Sequence, residues 1–253
     1  MKVVYRKKMG LTIADIWAPD ETWKKSAKCD VAVLHGSSVL DTKKRLVTQH
    51  TLLTNLQQED EQLWGNIKSK NFKYEIRRSE KDGVEFLCYT SKDLADNLEL
   101  LQKFSQCYQE MYQEKGIQNE LSLAMLHDYI LADAMFLSVA FYENEPLVFH
   151  SYVDCGESVR LWHSCSNFRS EHDVANLIGR ANKRLHWTDL LYFKEHGFRF
   201  YDWGGVFSFE GENGIDQFKK AFGGEPHDYY NGQVGVSIIG KIILYIKKCC
   251  RRG

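Results

Sequence analysis

Apolar positions recur along the chain in two periods, and each period marks a kind of element. Leu98, Leu101, Tyr108, Met111 and Tyr112 fall at helical spacing, and Gly116 supplies a stop. Val174, Leu177, Ile178, Ala181 and Leu185 share one face of a longer helix over 174–196 that closes on "EHG". The segment "EDEQLWGNIKSKNFKYEIRRSEKDG" reads as one helix, with Glu59, Asp60 and Glu61 at the positive end of its dipole and Gly83 at its close. A further helix is expected over 120–132.

Between these lie β-branched and aromatic runs. "VAVLHGSS", "TQHTLLTNL" and "VEFLCYT" read as strands. "MFLSVAFYEN", "PLVFHSYVDC" and "VRLWHSCS" follow in close order, joined by "ENEP" and "GES", which are short enough for hairpin turns. They predict an antiparallel meander at the heart of the sheet. "FRFYDW" adds a strand and "GIDQFKKAFGG" a brief helix stopped by glycines. This order predicts an α/β or α+β domain with a mostly antiparallel sheet flanked by helices.

Composition narrows the picture. A chain of 253 residues, 43% hydrophobic, is long enough to bury a large core. A net charge of -1 gives no overall field for nucleic acid, so DNA is not an expected partner and any basic patch is local. Three prolines and no low-complexity tract leave no visible linker. The seven cysteines lack zinc-site spacing, and the histidines form no HExxH or His/Cys cluster. No metal is expected, and the thiols read as reduced in a cytoplasmic protein. "MKVVYRKKMG" lacks the apolar stretch of a secretory signal. The tail "VGVSIIGKIILYIKKCC" is too short to span a bilayer and reads as an amphipathic element closing the core. Its sharper alternative is weak peripheral docking on the inner face of a membrane through Lys247, Lys248, Arg251 and Arg252.

Candidate chemistry concentrates in "FYDWGGVFSFEGENGIDQFKKAFGGE". Gly204 and Gly205 follow a strand end, where a missing side chain permits either a tight turn or close approach of a ligand. Flanked by Tyr201 and Trp203, they form a candidate substrate-binding set. Asp202 either fixes a neighbouring loop or accepts from a substrate hydroxyl or amine. Lys219, on the short helix, can hold a phosphate or a developing oxyanion as a point charge, the alternative being a solvated lysine. In "NFRSEHDVANLIGRAN", Arg169, Gly179 and Arg180 are expected at a strand-to-helix transition, where free N–H groups suit a donor phosphate. His163 lies in a central strand as a candidate base near neutral pH or a satisfied core residue. No GxSxG and no partnered Cys or Ser supports a covalent nucleophile.

Three stretches together resemble the Fem-type and BioF2-like acyltransferases, a branch of the GNAT superfamily, over about residues 50–230. They are "NFKYEIRRSEKDGVEF", "LSVAFYENEPLVFHSYV" and "LHWTDLLYFKEHGFRFYDWGG" continuing to "GIDQFKKAFGGE". The resemblance implies a GNAT fold, a mixed sheet splayed at its centre where the acyl donor slots between strands. It divides the chain into an N-terminal extension over 1–50 packing on the core, an acyltransferase domain over 51–232 and a tail over 233–253. It places Phe218 and Lys219 at the reaction centre, Phe218 on the donor, and turns Arg77 and Arg78 toward phosphates of donor or acceptor. The reaction implied is direct transfer of an acyl group to an amine. The expected function is an N-acyltransferase taking acyl-CoA as co-substrate and the amine of a nucleotide- or lipid-linked amino sugar as acceptor, in surface polysaccharide synthesis. Asp202 or His163 would relieve the amine of its proton through a water. An acyl-carrier protein or aminoacyl-tRNA is the alternative donor. A non-catalytic module binding a glycan or protein is the alternative class.

Overall fold

The computed structural model describes residues 1–38, 46–167, 172–210 and 213–250. Its strands are β1 (Lys2–Lys8), β2 (Leu11–Trp17), β3 (Val31–Ser37), β4 (Val47–Asn55), β5 (Glu85–Thr90), β6 (Met135–Tyr142), β7 (Glu145–Asp154), β8 (Ser158–Ser166), β9 (Phe200–Val206) and β10 (Glu225–Gly235). They form a ten-stranded sheet in the order β1-β2-β3-β10-β4-β9-β8-β7-β6-β5. The ladders are antiparallel except β2 with β3 and β8 with β9. The meander expected over β6, β7 and β8 is present.

Helices cover both faces. In chain order they are α1 (Trp23–Ser26), α2 (Asp60–Asn66), α3 (Lys70–Ser79), α4 (Ser91–Ala95), α5 (Leu98–Glu114), α6 (Leu123–Leu131), α7 (His172–Glu195), α8 (Gly214–Phe222) and α9 (Ile238–Cys250). Strand alternation sends Val159, Leu161, Tyr201 and Trp203 to one face, against Trp187, Leu190 and Phe193 of α7 and Phe222 of α8. The opposite face sends Leu137, Val139, Phe149 and Val153 against Phe104 of α5 and Leu126 and Tyr129 of α6.

Two expectations change. The single helix expected over 59–83 is two, because Ser69 Oγ accepts the N–H of Phe72 and starts α3 afresh. Buried Ile67 and the bond from Lys68 N to Ala221 O hold the break. The expected borders at 50/51 and 232/233 fall inside β4 and β10, so the first residues and the last strand belong to the same sheet as the core. Trp17 Nε1 donates to Tyr129 of α6, and Tyr129 donates to Asp15, which ties β2 to the helical layer.

The feature that positions the site lies between β8 and β9. They pair in parallel at Ser158/Phe200, Val159/Tyr201 and Arg160/Asp202, and then part. At this vertex Gly204 has φ +72°, and a β-carbon there would stand 2.6 Å from the carbonyl oxygen of Leu161. Only glycine permits both the left-handed turn and the approach.

Gly204→Ala is expected to destabilise the fold by about 2–4 kcal/mol in urea unfolding, combining backbone strain with a clash. Gly65→Ala, where nothing lies within 4 Å of the added carbon, should be neutral or gain roughly 0.5–1 kcal/mol. Equal midpoints for the two variants would contradict this account of the vertex.

Candidate functional site

Beyond the vertex, the separating edges of β8 and β9 open a cleft of about 550 Å³. It passes from one helical layer to the other. Tyr108, Tyr112 and Lys115 of α5 line one side, and Asn182 and His186 of α7 the other. Trp162, His163 and Cys165 form the β8 wall, Gly204 and Gly205 the β9 wall, and Phe218 and Lys219 of α8 close the end.

The start of α8 is fixed by hydrogen bonds. Asn213 Oδ1 accepts from Asp216 N, and buried Asp216 accepts from the backbone N–H groups of Phe207 and Ser208 and from Asn213 Nδ2. The carboxylate therefore clamps the end of β9 to the first turn of α8, where the positive end of the dipole favours it. One turn on, Lys219 Nζ donates to the carbonyl of Gly205 at 2.7 Å. Burial and the charge of Arg160 push the Lys219 ammonium down to about 8, against the pull of Asp202 and Asp216. Phe218 packs its ring 5.4 Å from that of His186.

Behind the cleft lies a buried polar network in which the direction of each proton can be worked out. Asp189 is fully buried and Oδ2 accepts from Tyr152 Oη at 2.5 Å. Tyr152 has then spent its proton, so the 2.9 Å contact with Tyr201 Oη requires Tyr201 to donate. Tyr201 has in turn spent its own, so the 3.2 Å contact with His186 requires His186 Nδ1–H to donate. Burial, with the charges of His150 and Lys219, drives the imidazolium of His186 well below its usual range. The ring is therefore neutral, its proton is on Nδ1, and Nε2 is left as an unprotonated acceptor on a ring that lines the cleft. His150 stacks on it at 3.9 Å and bonds Asp189 through Nδ1 and Asn182 through Nε2.

His150, His186 and Asp189 bring possible ligand atoms within 4.8 Å of one another, a grouping that their sequence separation hides. Both nitrogens of His150, Nδ1 of His186 and Oδ2 of Asp189 already carry hydrogen bonds, which explains the cluster without an ion.

The structure gathers His163, Gly204, Gly205, Phe218 and Lys219 at the cleft and places the other described candidates elsewhere. His163 stands against Tyr108 of α5, and burial lowers its pKa to about 4. Like His186 it is neutral and not a base poised near neutral pH, and its Nδ1 already contacts Ser151 Oγ at 3.0 Å. Asp202 points to the opposite face from Tyr201 and Trp203, where Oδ2 pairs with Arg160 at 2.5 Å. Its Oδ1 accepts from Thr51 Oγ1 and Gly204 N. It lines a separate cavity of about 180 Å³ and holds the vertex in shape. Tyr201 and Trp203 are fully buried core residues, with Trp203 Nε1 donating to Thr54. Gly179 and Arg180 sit two turns inside α7, away from its start, with Arg180 Nε bonded to Asp82 at 2.6 Å. Arg77 lies over the ring of Trp64 and Arg78 bonds Tyr74; neither reaches the cleft. Arg169 lies outside the described residues.

No family model matches the sequence, and no curated protein does. Solved structures do match. FemX superposes with a TM-score of 0.59 at 12% identity, over 90% of this chain and 83% of that one. The C-terminal domain (DUF2156) of a putative lysylphosphatidylglycerol synthetase from Agrobacterium fabrum gives 0.57 at 14% identity, over 96% and 83%. L-PGS from Bacillus licheniformis gives 0.53 at 12% identity, over 99% and 86%. With its sheet splayed between β8 and β9, the chain shares the fold of FemX and of these two further structures.

Proposed function

We propose that this chain is an acyl or aminoacyl transferase that moves its group directly from an activated carbonyl to a nucleophile held in the cleft between β8 and β9. The observation that carries this reading is the pairing, in one cleft, of a fixed cation at Lys219 with an unprotonated imidazole nitrogen at His186.

The two groups match the charges that such a transfer develops. As the nucleophile attacks, a new bond forms to the carbonyl carbon and the carbonyl oxygen takes up negative charge, which the Lys219 ammonium offsets. The attacking nitrogen or oxygen becomes far more acidic than in its free state, so a weak base at His186 Nε2 suffices to take its proton. The carbon–sulfur or carbon–oxygen bond to the donor then breaks, and the leaving thiolate or alkoxide receives that proton. An enzyme-bound intermediate has no support, because burial and the neighbouring Cys107 hold the Cys165 thiol well above its usual pKa.

For the acceptor we favour the amine of a nucleotide- or lipid-linked amino sugar, with acyl-CoA as donor. The rings of Tyr108, Tyr112 and Trp162 give the cleft apolar faces on which a sugar ring can stack, beside the polar Asn182 and His163. A second reading takes an aminoacyl ester as donor, and the structural neighbours favour it. One of them is a domain of a putative synthetase of lysylphosphatidylglycerol, a lysyl-bearing lipid.

The test uses the full chain with a panel of acyl-CoAs and amino-sugar nucleotides, followed by free thiol release, and in parallel with charged tRNA, with and without ribonuclease. Turnover is expected in one arm, and the arm identifies the donor. Lys219→Met and His186→Asn should each lower kcat by roughly a hundredfold with little change in KM. Absence of turnover with every donor, together with no shift in melting by CoA or tRNA, would leave a binding module as the reading.

Lys219 also sets a pH dependence. The cation is required, so kcat should fall as pH rises through about 8, whereas Lys219→Arg should retain activity to higher pH. Stability changes in the opposite sense. An unfolded lysine near 10.5 binds its proton where the native one near 8 has lost it, so the fold gains stability between those values. Lys219→Met should abolish that gain in unfolding curves recorded across the same window.

A further inference from the structure

α9 presents an apolar stripe that no described residue covers. Ile238, Ile239, Ile242, Tyr245 and Ile246 are between 53 and 76% exposed, at spacings that put them along one side of the helix. Single exposed apolar side chains are ordinary, but four isoleucines and a tyrosine along one short helix are not.

The helix is not a loose tail. Asp30, at the start of β3, accepts from Ser237 Oγ at 2.7 Å through its carboxylate, and its carbonyl accepts from Val236 N at 2.8 Å. A β-carbon on Gly240 would stand 1.9 Å from the Asp30 carbonyl oxygen. Glycine thus allows α9 to lie directly on the backbone beside β3, and this contact fixes which side of the helix faces outward.

The charge on the helix selects the occupant. Lys241, Lys247 and Lys248 are its charged residues, and the segment 236–250 contains no Asp or Glu. A second copy docking on the same stripe would set lysines against lysines. An anionic lipid surface offers an apolar layer for the isoleucines and negative headgroups for the lysines together. No described helix is long and apolar enough to cross a membrane, so the contact would be with one leaflet.

We propose that α9 lies flat on an anionic membrane surface, with Ile238, Ile242, Tyr245 and Ile246 in the headgroup–acyl boundary and Lys241 and Lys248, which flank the stripe, at the headgroups. This holds whether or not the cleft performs the transfer described above.

The experiment is co-sedimentation of the full chain with phosphatidylcholine vesicles and with phosphatidylcholine–phosphatidylglycerol vesicles, at low and high salt. Binding is expected only with the anionic lipid and should weaken with salt. Lys241→Gln and Lys248→Gln should each weaken it by roughly fivefold. Ile242→Glu with Tyr245→Glu, both at exposed positions, should abolish binding while leaving urea unfolding unchanged. Equal binding to both vesicle types, no binding to either, or a concentration-dependent dimer that the double variant breaks would each overturn the proposal.

Discussion

The site depends on the contact at which β8 and β9 stop pairing. Three parallel pairs hold the strands together, and the glycine at 204 presses against the carbonyl of Leu161 where they part. Arg160 and Asp202 brace the same point from the other face, and Asp202 also receives the N–H of Gly204. A sheet would otherwise continue its ladder, since unpaired edges are costly when buried. The vertex makes the opening part of the fold rather than a fluctuation of it. Each group that faces the cleft is positioned by an element rooted at or near it: α8 through the Asp216 clamp, α7 through its packing on Tyr201 and Trp203.

The second constraint is the cost of burying polar groups beneath the cleft. Asp189, His150, Tyr152, Tyr201 and His186 are removed from water, and each would be destabilising alone. Joined head to tail they satisfy one another, and the chain of donations fixes a single tautomer of His186. The same network that stabilises the interior thus determines which ring nitrogen of His186 carries the proton. A substitution at Tyr152 would reach the cleft through proton positions before it did so through shape.

Much of the fold was legible from periodicity. The meander, α5, α7 and α8 were signalled by apolar spacing and by glycine or short-turn punctuation, because their burial faces are long and uninterrupted. The break between α2 and α3 was not, since it rests on one serine cap and a contact with Ala221 that is remote in sequence. β1, β2 and β10 were missed as well: β1 is an edge strand, and the pattern of β10 is dominated by exposed and half-buried residues. At the site, Gly204, Phe218 and Lys219 could be found because they sit in one dense stretch. Asp202, Tyr201 and Trp203 come from that stretch too, but alternation along β9 turns them away from the cleft or into the core. His186 was hidden because its role comes from partners on β7, β9 and its own helix; a histidine on the apolar face of a predicted helix, next to Trp187 and three residues before Asp189, is the signal that was available.

The position of β10 has a consequence for how the chain comes to be folded. β3 and β4 are neighbours in sequence, yet β10 lies between them and pairs with both. During synthesis these two strands emerge early and wait, with facing edges unpaired, for a strand made some 170 residues later, a span of roughly ten seconds or more at ordinary elongation rates. The N-terminal half of the sheet therefore closes last, although it is made first. A nascent chain of this kind exposes two adhesive edges at once, which makes β3 and β4 natural sites for chaperone capture and for strand exchange between copies.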